Sequence, residues 1–380
     1  MQKIIRATTV PLSLNTFCRG FLKKISANYE VIALSSPGDG MHEIAEREGV
    51  RTIEVPMERH ISLLKDLKSL FALIKVFRKE KPDMVHSMTP KAGLLCMMAA
   101  CWTKVPVRVH TFTGLVFPTS KGLKRKVLML TDKITCACAT HIIPEGEGVK
   151  NDLIASRITK KPLKVLGYGN VRGIDMEYYS HRPEVLKIME EQKLHDNSKF
   201  SFLFVGRIVK DKGIDELVSA FNRLQQKNKN LRLLLVGPYE NDLDPISESS
   251  RELIDNNPTI TSVGPKMDIE LLAYYCASDC FVMPSYREGF PNTVLEAGAM
   301  SLPCIVTDIN GSREIIENGK NGLVVPAKDV EALYDAMERM LIDKDTTALM
   351  ASNARPMIES RFEQSFVRKC LIDFYKEILE

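Results

Sequence analysis

The stretch Pro284-Ser285-Tyr286-Arg287-Glu288-Gly289-Phe290-Pro291-Asn292-Thr293-Val294-Leu295-Glu296-Ala297 decides how the rest of the chain is read. An apolar strand over residues 280–283 ends just before it, a polar loop turns on Gly289, and Pro291 or a neighbour opens a helix. Strand, short polar loop and helix start together make the unit from which helix-covered parallel sheets are built. The first N–H groups of that helix have no partner within it and carry the positive end of the helix dipole, which makes the turn an anion site. Glu288 in the loop and Glu296 in the first turns of the helix bracket it, with seven residues between them. A carboxylate accepts two hydrogen bonds and so suits a vicinal diol, each charge-assisted bond being worth ~1.5–3 kcal/mol.

The same unit recurs in both directions from this stretch. Residues 201–205 read as a strand, 214–226 as a helix and 231–236 as the next strand, and 260–263, 304–307 and 323–325 continue the series. Upstream, 3–7, 31–34, 52–55, 84–86, 107–111 and 141–143 form a second run. Amphipathic stretches fall between them; over 61–79, Leu63, Leu64, Leu67, Leu70, Phe71, Ile74 and Phe77 recur at helical spacing. At ~100–200 residues per domain, 380 residues accommodate two α/β domains in tandem. The polar segment 181–199, with Pro183 and the Asp196-Asn197-Ser198 cluster, marks the start of the second domain after a linker. Two such sheets facing each other leave a cleft, and their ligands bind outside the carboxyl ends of the strands.

Gly206-Arg207 leaves a buried strand, and Lys212 follows five residues later at a helix entrance. That spacing places two cations where a diphosphate would gather charge. Breaking a sugar–diphosphate bond pushes negative charge onto the departing phosphate, so fixed cations there favour the transition state over the ground state.

Pro-Ser-x-x-Glu-Gly-Phe-Pro-Asn-x-x-x-Glu-Ala resembles the Glu-x7-Glu signature of the retaining glycosyltransferases of family 4. The resemblance extends through Val205-Gly206-Arg207 with Lys212-Gly213, Leu235-Val236-Gly237, Val263-Gly264, Thr307-Asp308 and Asn318-Gly319, nearly without a break over 200–333. It implies the GT-B fold, two Rossmann-like α/β/α domains facing across a cleft. The expected division is 1–180 for the acceptor, 181–360 for a nucleotide-sugar donor, and a C-terminal helix within 361–380 that crosses back to the first domain. Arg207 and Lys212 would hold the donor diphosphate, Glu288 the hydroxyls of the transferred sugar and Glu296 the ribose. Gly206, Gly289, Phe290, Pro291, Asn292 and Thr293 would complete the donor pocket, largely through backbone N–H groups. The resemblance also implies same-face attack without a covalent intermediate, and calls for no metal or other cofactor.

The first half matches less tightly. Its opening strand and loop, including Ser13, lack the paired glycines of many relatives. The segments around His86 and around His110-Thr111-Phe112-Thr113-Gly114 resemble members that build surface polysaccharide on a lipid carrier. Much of the family has a histidine where Thr113 stands, which removes a histidine contact to the donor sugar. Ser13, His86, Thr113 and Gly114 are the acceptor-side candidates. Gly167-Tyr168-Gly169-Asn170-Val171-Arg172-Gly173 lacks the spacing and following helix of a dinucleotide loop, and resembles instead the family's lead into the interdomain linker. Asp242-Leu243-Asp244 reads as a solvated loop rather than a metal-binding pair.

Composition narrows the remaining choices. With 44% hydrophobic and 26% charged residues the chain is globular. Its longest near-uncharged apolar stretch, 92–102, is 11 residues against the ~20 that span a bilayer. No basic, apolar and small-residue leader pattern opens the sequence, so a cytoplasmic location is expected. Nine scattered cysteines without a CxxC pair read as small buried hydrophobes. Net charge is +12 over 1–180 (28 Lys+Arg, 16 Asp+Glu) and −8 over 181–380 (24 and 32). The first half therefore faces something anionic. Lys121, Lys124, Arg125 and Lys126, followed by Val127, Leu128, Met129 and Leu130, fit an interfacial helix resting on anionic lipid, where each cation adds ~1 kcal/mol. Nucleic acid is the rival anion, but no interleaved aromatics or recognition module supports it.

The combined expectation is sugar transfer from a nucleotide donor, UDP-linked, to a lipid-diphosphate-linked saccharide at the inner membrane face, in capsule, O-antigen or exopolysaccharide assembly. The alternatives are a nucleotide-sugar epimerase of the same architecture and a non-catalytic scaffold subunit.

Overall fold

The computed structural model describes residues 1–58, 62–240 and 244–380. It divides into two compact units: Met1–Gly173 with Ser365–Glu380, and Ile174–Gln364.

The first unit is a six-stranded sheet of β1 (Lys3–Ala7), β2 (Glu30–Ser35), β3 (Arg51–Glu54), β4 (Met84–Met88), β5 (Val107–Phe112) and β6 (His141–Pro144), in the order β3-β2-β1-β4-β5-β6. Every pairing is parallel. The second unit repeats the winding with β7 (Phe200–Val205), β8 (Leu231–Val236), β9 (Ile260–Gly264), β10 (Cys280–Met283), β11 (Cys304–Thr307) and β12 (Gly322–Val325), in the order β12-β11-β10-β7-β8-β9. Read from its first strand outward, each sheet is the doubly wound arrangement whose strand order reverses beside that strand.

Parallel sheets bury both faces, so their strands are apolar throughout rather than alternating. In β1, Ile5 and Ala7 enter one core with Ile32, Leu34 and Val85. Ile4 enters the other with Val31, Met84, Val109 and the helix Gln364–Leu379, through Leu371, Phe374 and Tyr375. Burying each of those three side chains contributes ~1.5–3 kcal/mol, enough to fix this terminal helix to the first unit. On the same face Arg6 is fully buried; its guanidinium donates to the Tyr375 hydroxyl and meets Nδ1 of His86 at 2.6 Å.

Two sequence expectations change. Leu63, Leu64, Leu67 and Phe71 are exposed on the helix Leu63–Glu80, while Leu73, Ile74 and Phe77 are buried. The apolar positions at the start of that helix span more than one face, and a single stripe suffices to cover the sheet. Ile61 lies outside the described residues. The polar stretch 181–199, read as the start of the second domain, lies within the second unit and contains the helix Pro183–Glu191, anchored by buried Val185. Cys101 is exposed and Cys138 half-buried, so the thiols are not uniformly core residues.

Candidate functional site

In the second unit, two loops at adjacent strand ends are held together by main-chain geometry. After β7 the chain makes a tight turn over Lys210–Lys212 and enters the helix Ile214–Lys227 through Gly213. Gly213 has φ +71°, and a Cβ there would sit 2.1 Å from the carbonyl oxygen of Pro284, so only glycine lets the turn lie against the loop after β10. Tyr286 N–H donates to the Asp211 carbonyl at 2.8 Å, and Arg287 donates to the Asp211 carboxylate at 2.9 Å. The half-buried Lys212 ammonium then meets the half-buried Glu288 carboxylate in an ion pair.

Arg207 leaves β7 on the same edge and pairs with Glu240 at 2.5 Å. Burial works against its charge, but hydrogen bonding and attraction from Glu240, with further pull from Asp211 and Glu288, more than offset it and raise the guanidinium pKa. Glu288 thus acts electrostatically on both cations.

Gly311, at φ +73°, is the second obligatory glycine. A Cβ there would lie 2.4 Å from the Gly289 carbonyl oxygen and 2.7 Å from Cα of Phe290, so its contact fixes the Gly289 turn. Phe290 packs edge-on against Phe362, with ring centroids 5.4 Å apart. The helix Asn292–Ala299 starts from Pro291, a residue with no side-chain acceptor, and has no acid in its first turn. Its positive dipole end therefore favours an anion.

Glu296 is 6% exposed. Its oxygens accept the Tyr179 hydroxyl at 2.9 Å and the Tyr275 hydroxyl at 3.2 Å. Burial, and then the Glu296 charge, hold the Tyr275 phenol well above its ordinary pKa, so it remains a donor. Ser285 and Ser312 carry buried hydroxyls without a hydrogen-bond partner among the described residues. The two tyrosines escaped the sequence reading, because the carboxylate they meet is remote in the chain and no local spacing announces it. Asp242 and Leu243 lie outside the described residues; Asp244 accepts the Asp211 N–H at 2.7 Å.

In the first unit, His86 is buried with both ring nitrogens engaged, Nδ1 by Arg6 and Tyr375 and Nε2 by Thr111 Oγ1 at 2.7 Å. It orients Thr111 rather than facing an opening. Ser13 lies in the helix Pro11–Cys18, its N–H donating to the Val10 carbonyl. Thr113 and Gly114 line a small recess at the carboxyl ends of β4 and β5, together with Thr89, His110, Thr131 and Asp132. Burial lowers the His110 pKa to about 3, so its ring is neutral. Thr89 adopts φ 69° and ψ 144°, a conformation that costs a β-branched residue ~1–3 kcal/mol.

Asp132 belongs to the helix Gly122–Cys138. Among the described residues no hydrogen bond or ion pair reaches its carboxylate, and burial alone lifts its pKa to about 7. An unfolded aspartate titrates near ~3.9. Between pH ~4 and ~7 the folded chain therefore binds more protons than the unfolded one, and stability falls as pH rises through that window. Above it the buried charge is held at a cost. Asp132→Asn, which never ionises, is expected to be more stable than the parent at pH 8 by roughly 1–3 kcal/mol, allowing for partial exposure, with the gap closing towards pH 4. Scanning calorimetry at the two pH values checks this.

Two six-stranded parallel sheets of identical winding, with the cations and carboxylates of the second at its strand ends, define the GT-B architecture. The solved structure of Anabaena Alr3699/HepE in complex with UDP superposes with a TM-score of 0.80 at 16% identity, over 99% of this chain and all of that one. WaaG, a glycosyltransferase involved in lipopolysaccharide biosynthesis, superposes at 0.73 and 15%, over 97% and 98%. Residues 187–357 match the profile of the glycosyl transferases group 1, and 18–169 that of the glycosyl transferase 4-like domain. The Staphylococcus aureus capsular polysaccharide biosynthesis glycosyltransferase CapM is 36% identical over 100% of this chain and 98% of its own. The Escherichia coli UDP-Gal:alpha-D-GlcNAc-diphosphoundecaprenol alpha-1,3-galactosyltransferase is 32% identical over 83% and 81%. The chain belongs to the group 1, family 4-like glycosyltransferases, and is a glycosyltransferase.

Proposed function

We propose that the chain transfers a sugar from a UDP-linked donor, with retention of configuration, to a hydroxyl of a lipid-diphosphate-linked saccharide in surface polysaccharide assembly. The observation that carries this reading is the convergence of Arg207, Lys212 and Glu288 at the ends of two adjacent strands, beside the start of the helix Asn292–Ala299, which carries no acid in its first turn. A donor diphosphate would exchange places with Glu240 and Glu288 as partner of the two cations, releasing Glu288 to the hydroxyls of the sugar. Arg207 and Lys212 then stabilise the charge that develops on the leaving phosphate. Glu296, held rigid by two tyrosines, accepts the ribose hydroxyls. In this reading the two cations neutralise the leaving group, and no metal is called for. The relatives in S. aureus and E. coli, whose names specify capsular polysaccharide and a diphosphoundecaprenol acceptor, support the pathway and the acceptor class.

Incubating the purified chain with a panel of nucleotide sugars, with and without lipid-diphosphate saccharides, tests the reading. Acceptor-dependent glycosylation is expected. Conversion of the nucleotide sugar alone would instead indicate an epimerase.

Membrane contact belongs to the same proposal. Among the described residues no helix is long and apolar enough to cross a bilayer. The helix Gly122–Cys138 begins amid Lys121, Lys124, Arg125 and Lys126 with no acid in its first turn, against its own dipole by ~0.3–1 kcal/mol per cation. An external anion offsets that cost, and exposed Leu123 and Leu130 flank the cluster. The helix Leu63–Glu80 likewise exposes Leu63, Leu64, Leu67 and Phe71 among Lys68 and Lys75. Neutralising the four cations of the first cluster is expected to abolish sedimentation with vesicles containing phosphatidylglycerol while UDP affinity stays the same; unchanged sedimentation would count against the assignment.

A further inference from the structure

The recess at the carboxyl ends of β4 and β5 has one feature that the transfer chemistry of the second unit does not use. Most polar groups in its wall are spent within the protein. Thr89 Oγ1 bonds to Thr9 Oγ1 at 2.8 Å, Thr111 Oγ1 to His86, Thr131 Oγ1 to the Leu128 carbonyl at 2.8 Å, and His110 Nδ1 to Ser87 Oγ at 2.9 Å. Asp132 and Thr113 carry no hydrogen bond among the described residues. Phe112, Val116 and Leu128 supply the apolar part of the wall.

Three properties define what fits. The space measures about 20 Å³, close to the ~10–15 Å³ that one water requires, so it admits a single small polar group and not a whole sugar ring. Above its raised pKa the Asp132 carboxylate only accepts, so at alkaline pH the occupant must donate. The recess opens where ligands of a doubly wound sheet bind. We propose that it takes one hydroxyl of the acceptor saccharide, with Asp132 accepting that hydrogen bond and thereby selecting acceptors that carry the hydroxyl. Thr113 lies beside it as the second hydrogen-bonding partner. This inference rests on the glycosyl-transfer reading above.

Two local costs fall on this one recess: a half-buried carboxylate without a partner among the described residues, and a threonine at Thr89 held in a backbone conformation favourable only to glycine. Costs of this kind persist where a site requires them. A structural aspartate would have a partner, and a void filler would be apolar.

The test compares the full-length parent, at a pH where Asp132 is ionised, with Asp132→Ala, which has no side-chain acceptor, using whichever lipid-diphosphate monosaccharide the parent glycosylates and its analogues deoxygenated at one ring position at a time. Loss of one charge-assisted hydrogen bond corresponds to a ten- to hundredfold effect. The acceptor KM of Asp132→Ala is expected to rise by that factor, with kcat within about threefold, and with UDP affinity and acceptor-free donor hydrolysis unchanged. One deoxy analogue should carry the same penalty in the parent and none in the variant. An unchanged acceptor KM, or deoxy penalties identical in the two proteins, overturns the proposal and leaves the recess as a site for water only. A parent that glycosylates no acceptor overturns the underlying reading, and this proposal with it.

Discussion

Lys212→Ala is expected to lower kcat by about 10²–10³, the cost of removing one fixed group that stabilises developing charge. Lys212 stands 18% exposed on a turn that Gly213 presses against Pro284, so its ammonium is already positioned and partly desolvated before any donor arrives. That preorganisation is what makes a cation worth more at a leaving phosphate than at an open surface. The effect should fall on turnover more than on donor KM, because the charge on the phosphate grows as the glycosidic bond breaks. Lys187→Ala, which removes an exposed ammonium paired only with Glu191, should leave turnover within about twofold. Steady-state kinetics of the two variants with the preferred donor distinguishes a positioned cation from general electrostatics; equal effects would remove Lys212 from the mechanism.

Glu296→Ala should act differently. The carboxylate receives two buried phenol hydroxyls, from Tyr179 and from the fully buried Tyr275. Removing it strips both of an acceptor, at ~1–3 kcal/mol for each group left unsatisfied, and also removes the proposed ribose contact. We expect a lower unfolding midpoint together with a ten- to hundredfold weaker affinity for UDP. Tyr275→Phe separates the two effects: it weakens the same cluster but leaves the carboxylate, so it should reduce stability while UDP affinity changes by less than threefold. Glu288→Ala makes the third comparison, with turnover falling and UDP affinity held. Calorimetric titration of UDP into the three variants, alongside thermal unfolding, provides the readout. If Glu296→Ala bound UDP as the parent does, Glu296 would be a structural residue.

The strands were legible in the sequence because both faces of a parallel sheet are buried, which writes each strand as a short apolar run bounded by polar residues. β1, β8, β10 and β11 fall where the runs place them, and the others differ by one or two residues at their ends. Sequence spacing also placed Lys212 and Glu288 at strand-to-helix turns; that the strands before them are neighbours came only with the sheet order. What the sequence could not convey are relationships that arise only on packing. The helix Leu63–Glu80 has apolar residues on more than one face, and nothing in its spacing says which stripe meets the sheet. The tyrosines that hold Glu296 stand 117 and 21 residues from it. Asp132 sits in a helix that begins with basic residues, and an acid there reads as solvated until the fold buries it without a partner. His86 shows the reverse, since a histidine at a strand end suggests chemistry, yet its nitrogens are engaged by Arg6, Tyr375 and Thr111 within the core.

A structure of the chain with an unreactive UDP-sugar analogue bound is the most direct measurement. One molecule should place its diphosphate oxygens ~3 Å from the Arg207 and Lys212 nitrogens, its ribose hydroxyls on Glu296 and its sugar hydroxyls on Glu288. A nucleotide seated elsewhere, with the Lys212–Glu288 pair undisturbed, would contradict the proposed site.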